Sequence, residues 1–339
     1  MKAALFMGPG KIQIKELDDR EPQEHEVKIR NKAAGVCGTD VHIFHGAKGS
    51  ADVQLPVVLG HEFAGEVVAV GRGVTAVKAG DRVAVDPNIY CQTCYYCRTG
   101  RKQLCENLRA IGVNCNGGFA EYSIVPEQQV YPLADNVDFE AGAMAEPLAC
   151  CLHGVDLAQI QPGDTVCVIG GGAIGQLMVQ LAKLAGAAQV FLSEPVAQRR
   201  QIALENGADY VVDPTAEDPA EVIYRLNSRG VDVVIECAGN VKAVEQACEV
   251  AGKGATIVLF SVPKPEAVFP LRLFDVYSKE LKIVGSFINP DTHQRAVNLL
   301  NQEKINIQRL ITHRYGLDEA EEAIRKQSDG DSIKVLVKP

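Results

Sequence analysis

The chain has no excess of positive charge: 34 basic side chains face 43 acidic ones, a net charge of −9. That balance argues against nucleic acid or an anionic membrane surface as partner. It also lacks a long apolar run. The zone from Val166 to Leu184 is broken by glycines, Gln176, Gln180 and Lys183, so it is not a membrane span. Met1 to Met7 stops at Gly8-Pro9, too short for the apolar core of a secretion signal, and a cytoplasmic protein is expected. No repeat array, low-complexity segment or charged tail is present. What the chain does have is cysteine, eleven in all. In a reducing compartment these point to metal binding or burial, not to disulfides. At 339 residues the chain exceeds the size at which one core stops growing, so two domains are expected.

The organising stretch is Asp164 to Gly186, DTVCVIGGGAIGQLMVQLAKLAG. Val166, Val168 and Ile169 form a strand-length β-branched run, and Ala173 to Leu184 carries Ile174, Leu177, Met178, Leu181 and Ala182 at helical spacing. Between them lies Gly170-x-Gly172-x-x-Gly175. A strand, a glycine turn and a helix in that order let the backbone approach a pyrophosphate, whose charge rests on the helix N-terminus. An ordinary tight turn is the alternative for a bare glycine pattern. The dinucleotide reading further requires an acid about 20 residues on, and Glu194 meets that requirement at the end of the strand-like Gln189–Ser193.

Before this stretch, to about Pro132, the apolar signal comes in short strand-like pieces: 26–30, 63–70, 82–85 and 121–125. Asn136 to about Ala158 reads as helical. From Thr165 onward strands at 165–169, 189–193, 209–212, 231–236, 255–260 and 281–285 alternate with helical stretches, which predicts a doubly wound parallel sheet. A helix near Thr292–Gln302 and a strand at 333–337 close the chain.

Cys91-x2-Cys94-x2-Cys97-x7-Cys105 is the most specific local pattern. Four thiolates in a polar loop match a closed, structural zinc site with no open position. Burial as small hydrophobes is one alternative, opposed by Gln92, Thr93, Arg98, Arg101 and Lys102 in the same run, and an iron–sulfur centre is another, disfavoured by the spacing. A second group of donors is spread wider, in Gly35-Val-Cys37-Gly-Thr39-Asp40-Val-His42, Gly60-His61-Glu62 and Ala145-Glu146-Pro147. Thiolate, imidazole and carboxylate are the ligands of a catalytic zinc, which needs about three of them and one open place. By residue type alone, Cys37 and His61 read more readily as ordinary buried or solvated side chains than as ligands.

Together these motifs resemble the zinc-containing alcohol dehydrogenases of the medium-chain dehydrogenase/reductase superfamily, and within it the sorbitol (polyol) dehydrogenase branch. The carriers are Cys37-Gly-Thr-Asp-Val-His42, Gly60-His-Glu62 with Gly65, Gly80-Asp-Arg-Val83, the four-cysteine lobe, Gly117-Gly-Phe-Ala-Glu-Tyr122, Glu146-Pro-Leu148, the Gly170 turn and Glu236-Cys-x-Gly239. The resemblance implies a GroES-like, β-rich catalytic domain over 1–151 and 288–339, with a structural zinc lobe at about 88–110. It implies a Rossmann NAD-binding domain over 152–287. It lends Cys37, His61 and Glu62 the catalytic zinc, with Glu146 next to the metal or holding its water; which glutamate binds directly stays open. Asp40 is then the partner of His61, Thr39 and His42 form a proton relay, and Gly170, Gly172, Ile174, Gly175, Glu194 and Arg199 hold the cofactor. Two zinc ions per chain and NAD are implied, Glu194 repelling the extra phosphate of NADP. So are a small alcohol as substrate and a homotetramer or homodimer.

Two departures stand out from the polyol pattern. Phe260-Ser261 replaces the usual Val-Gly pair, and Ile288 stands where the animal sorbitol enzymes carry arginine. Both count against sorbitol itself and leave a vicinal diol or sugar alcohol, phosphorylated or not. L-threonine 3-dehydrogenase is the nearest rival, supported by Gly112-Val-Asn114 and opposed by Glu146-Pro-Leu148, where that branch favours Asp-Pro-Phe. A silent, crystallin-type cofactor-binding protein is the rival of another class, and it predicts missing metal ligands. The six cysteines outside the two metal groups (115, 150, 151, 167, 237, 248) read mainly as buried fillers.

Overall fold

The eleven-residue strand Glu26–Val36 is the backbone on which the first half of the molecule is hung. The computed structural model describes residues Met1–Pro339. Its chain divides into two units, Met1–Ala149 with Ile288–Pro339, and Cys150–Phe287. In the first unit, Glu26–Val36 pairs antiparallel with Glu62–Val70, with Tyr122–Pro126 and with Lys334–Lys338. These belong to a seven-stranded sheet that continues through Arg82–Val85 to Val130–Pro132 on one side and through Ile311–Gly316 on the other. Val27, Ile29, Phe63, Val67, Phe119, Val335 and Val337 fill the core beside it. Phe63 and Phe119 are essentially inaccessible, which contributes about 1.5–3 kcal/mol each.

Gly65 sits where a Cβ would strike the carbonyl oxygen of Arg30 on the neighbouring strand, so only glycine lets the two strands close there. The pairing of Glu26–Val36 is irregular, with register shifts at Lys28/Ile29 and Asn31/Ala33. Such bulges break the period-two pattern, which is why residues 26–30 alone read as strand in the sequence. The predicted single helix over 136–158 is two helices, Phe139–Ala143 and Ala145–Ala158. Asp138 caps the first by accepting the Ala141 N–H at 2.7 Å. Pro147 has no N–H to offer the carbonyl four residues back, so the backbone turns at Met144 and starts again.

The second unit holds six parallel strands in the order Tyr210–Val212, Gln189–Ser193, Thr165–Ile169, Val231–Glu236, Ala251–Leu259, Lys282–Gly285. The strand Thr165–Ile169 is buried along its whole length, as expected of a parallel strand covered on both faces. Chain order reverses beside it, the place where open α/β sheets leave a ligand crevice at the carboxyl ends. No helix is long and apolar enough to cross a membrane.

Candidate active site and metal centres

Cys37 follows directly on the strand Glu26–Val36 and forms the N-cap of the helix Gly38–Phe44. Thr39, Asp40 and His42 are carried on that helix. Asp40 is fully buried. Its Oδ2 accepts the Cys37 N–H at 2.8 Å and its Oδ1 accepts the Gly60 N–H at 3.3 Å. One carboxylate therefore ties the two donor segments together. It also stands 3.5 Å from Nδ1 of His61, which is 7% exposed.

One donor atom each from Cys37, His61 and Glu62 lies within 4.8 Å of the other two. His61 Nδ1 is turned to the Asp40 carboxylate and Lys334 is on one oxygen of Glu62, which leaves the other ring nitrogen, the Cys37 sulfur and the Glu62 carboxylate gathered in an interior where a metal dication would satisfy them. Burial works against charge on His61, yet Asp40 and Cys37 together raise its pKa well above the ordinary value. The pocket thus attracts positive charge. Three donors of these kinds fit zinc and leave one of four places open. Glu146 is buried and lies within electrostatic range of Lys334, outside the group of three. Thr39 and His42 sit one helical turn apart, both half-buried. His45 is exposed.

The second group, Cys91, Cys94, Cys97 and Cys105, also has its four donor atoms within 4.8 Å of one another, all as free thiols. N–H groups of Thr93 and Cys94 pull the Cys91 thiol down to about 5. Desolvation, with Cys94 and Cys105 adding to it, pushes Cys97 up to about 12. Four sulfurs this close cannot all ionise without a cation among them, and a dication bound by four thiolates is a closed site.

In the second unit, Gly170 has φ +95°, a backbone that side chains rarely adopt. A Cβ on Gly175 would strike the Gly170 carbonyl, so the helix Ala173–Leu184 can pack this close only with glycine there. Gly172 is its N-cap, without a side-chain cap, and the space where its Cβ would stand is open. With no side-chain cap, the first N–H groups of this helix are left for a phosphate. Ile174, in the first turn, is half-buried. Glu194 is 2% exposed; its Oε2 accepts the Gly171 N–H at 2.5 Å and its Oε1 the Val196 N–H at 2.9 Å. Arg199 stands 3.8 Å from the same carboxylate, and Arg200 donates to the Glu194 carbonyl at 2.7 Å.

Several contributors have contacts that their sequence motifs do not announce. Gln176, fully buried, donates to the carbonyls of Gly171 and Arg199 and so fixes the turn. Glu236 accepts the N–H groups of Ala238 and Gly239 and the hydroxyl of Ser261. Lys334 is buried in the first unit with its ammonium on Glu62 Oε2. A lysine in the apolar strand KVLVK was its only signal. Of the six spare cysteines, Cys151 and Cys167 are buried and the others partly exposed.

Comparison with known proteins gives this arrangement its class. Residues 23–135 match the alcohol dehydrogenase GroES-like domain, and residues 173–302 match the zinc-binding dehydrogenase domain. A sorbitol dehydrogenase of Halalkalibacterium halodurans is 37% identical over 98% of this chain and 97% of its own. An L-threonine 3-dehydrogenase of Pyrococcus horikoshii is 35% identical over 99% and 98%. Among solved structures, a zinc-binding dehydrogenase from Sinorhizobium meliloti bound to NADP superposes with a TM-score of 0.96 at 44% identity, over 100% and 99% of the two chains. A dehydrogenase with one GroES-like part and one parallel nucleotide-binding sheet is thus defined. The chain belongs to the zinc-binding alcohol dehydrogenase family, the one its sequence motifs resemble.

Proposed function

We propose that this enzyme oxidises a secondary alcohol, a polyol or sugar alcohol with or without a phosphate, to the ketone with reduction of NAD. The observation that carries the reading is the convergence of Cys37, His61 and Glu62 in a buried, cation-seeking group. In this reading residues 1–151 and 288–339 form the zinc catalytic domain and residues 152–287 the NAD-binding domain. Cys37, His61 and Glu62 hold the catalytic ion, with Glu146 beside it, and Cys91, Cys94, Cys97 and Cys105 hold the structural one.

When bound, the catalytic zinc supplies a Lewis acid that favours ionisation of the substrate hydroxyl. The chain does the rest. Asp40 fixes the ring of His61 and the start of the Cys37 helix. The Thr39 hydroxyl takes the substrate proton, and His42, one turn further along the same helix, passes it towards water. Backbone N–H groups of Gly172 and Ala173 receive the pyrophosphate, with Ile174 in the turn behind them. Glu194 keeps unused lone pairs on both oxygens for the ribose hydroxyls, and its charge disfavours a 2′-phosphate.

NADP is the second reading for the cofactor, favoured by the two guanidinium groups of Arg199 and Arg200 at Glu194 and by the NADP held by the Sinorhizobium relative. Catalytic efficiency with each cofactor decides, and a preference for NADP removes the assignment to NAD. For the substrate, C4–C6 polyols, their phosphates, 2,3-butanediol and threonine are compared by absorbance of the reduced cofactor. Oxidation of threonine and of none of the polyols would reverse the choice.

A homo-oligomer, dimer or tetramer, is part of the proposal. The sheet of the second unit ends on the exposed edge strand Lys282–Gly285. Leu273, Phe274 and Tyr277 of the helix Leu273–Lys279 are 74–82% exposed. An open edge with large apolar neighbours is a surface a second copy can cover. Light scattering of the purified protein reads the mass directly. The reduced thiols and acidic balance suit a cytoplasmic enzyme.

A further inference from the structure

Lys334 is a charge in a place where none is needed for packing. It opens the strand Lys334–Lys338, whose next three residues, Val335, Leu336 and Val337, are apolar and buried. Its side chain is 4% exposed and that of Glu62 1%. A buried ion pair is commonly no more stabilising than well-packed apolar residues of the same volume, so stability alone gives little reason for this one.

The backbone brings the pair together over one residue. Gly35 pairs with Glu62 on one side and with Leu336 on the other. A Cβ at Gly35 would strike Glu62 Oε2 and come within 2.9 Å of Lys334 Cε. The missing side chain is the space the ion pair occupies. Two residues after Gly35 comes Cys37, and Glu62 follows His61, so Lys334 stands against the donor group itself.

The close contact of Lys334 is to one carboxylate oxygen, Oε2. An ammonium is a compact point charge, unlike the two-pronged guanidinium, and it leaves the second oxygen of a carboxylate unoccupied. A carboxylate with one oxygen engaged can give a metal only the other. We propose that Lys334 is a positioning residue: by holding Oε2 of Glu62 it limits that glutamate to a single bond to the metal and so keeps a place open for the substrate hydroxyl. This rests on the reading that Cys37, His61 and Glu62 hold a metal.

The test uses the full-length protein. Zinc content of the unaltered enzyme comes first: about two per chain supports the metal reading, and one per chain, retained by the four thiols, overturns that reading and this inference with it. With two present, Lys334→Met and Lys334→Arg are compared by zinc release to a chelator and by the visible spectrum after cobalt replaces zinc. Lys334→Met frees both oxygens of Glu62, so the cobalt bands weaken as coordination rises and zinc release slows, about 10-fold or more on the scale of partners of metal ligands. Lys334→Arg takes both oxygens, so release quickens by about the same factor. A merely structural role moves both variants in the same direction. Unchanged release and spectra, or shifts of one sign, overturn the proposal while the metal reading stands. If Lys334→Met does not fold, the arginine variant decides alone, and unchanged or slower release overturns it. Failure of both to fold assigns the pair to folding and also overturns it.

Discussion

Replacing Gly175 and Gly172 separately by alanine separates the two tasks of the glycine turn. At Gly175 the new methyl meets the Gly170 carbonyl, oxygen first and its carbon at 2.9 Å, inside the 3.4–4 Å of ordinary contact. Neither neighbour is a flexible side chain, so the helix Ala173–Leu184 must move off the strand Thr165–Ile169. Overpacking of this kind costs about 1–3 kcal/mol. With about 2–4 °C lost per kcal/mol in a unit of this size, the melting point should fall by roughly 2–12 °C. The displaced turn also loses one N–H bond to the charged pyrophosphate, about 1.5–3 kcal/mol, so the cofactor Kd should rise about 10- to 150-fold. Gly172 has φ −67° and open space where its Cβ would be, so alanine there leaves the melting point within about 1 °C. Its methyl does enter the space a phosphate needs, and the same 10-fold or greater loss of affinity is expected. The chain has no tryptophan, so NADH fluorescence reports binding without protein background. If Gly175→Ala binds NADH as the unaltered protein does, or Gly172→Ala melts as early as Gly175→Ala, the assignment of the turn is refuted.

Other outcomes follow from the same geometry. His42→Ala should lower turnover more at neutral than at high pH, where solvent base substitutes; an unchanged pH–rate profile counts against the relay. Cys97→Ser should reduce zinc from about two per chain to about one and lower the melting point, as checked by metal analysis and calorimetry. Full zinc content in that variant removes the structural site. Asp86, buried with Asn88 and Asn289 as partners, has a pKa raised by burial to about 7. The folded state then holds its proton where the unfolded state has lost it, so this group's share of stability falls as pH rises from about 4 to 7, by on the order of 4 kcal/mol. Asp86→Asn should flatten that slope in urea unfolding between pH 5 and 8, and an unaltered slope contradicts the shift.

The two donor groups and the glycine turn were legible for different reasons. Four cysteines in fifteen residues announce themselves, because a short loop closes the site. Gly170 to Glu194 is equally local, a strand, a turn and the next strand. Cys37, His61 and Glu62 needed the family resemblance, since nothing local shows that a helix cap and a strand end meet. Glu146 was the open question, and only coordinates could set it outside the three-donor group. Lys334 escaped altogether. Its partner lies about 270 residues earlier, and a charge at the head of an apolar strand reads as a boundary when its register is unseen. The break at Met144 was written in Pro147, yet apolar periodicity on both sides concealed it.

The pairing of Lys334–Lys338 onto Glu26–Val36 also sets a timetable. At about 5–20 residues per second, the ribosome makes Lys334 some 15 to 55 seconds after Glu62. For that interval the nascent donors exist without their cation, next to a groove left by Gly35 and an uncovered strand edge. A metal that arrives early meets a glutamate with both oxygens free, and one that arrives after the last strand has zipped on meets only one. Which ion the enzyme carries, and how firmly, can therefore depend on whether loading happens during synthesis or after it.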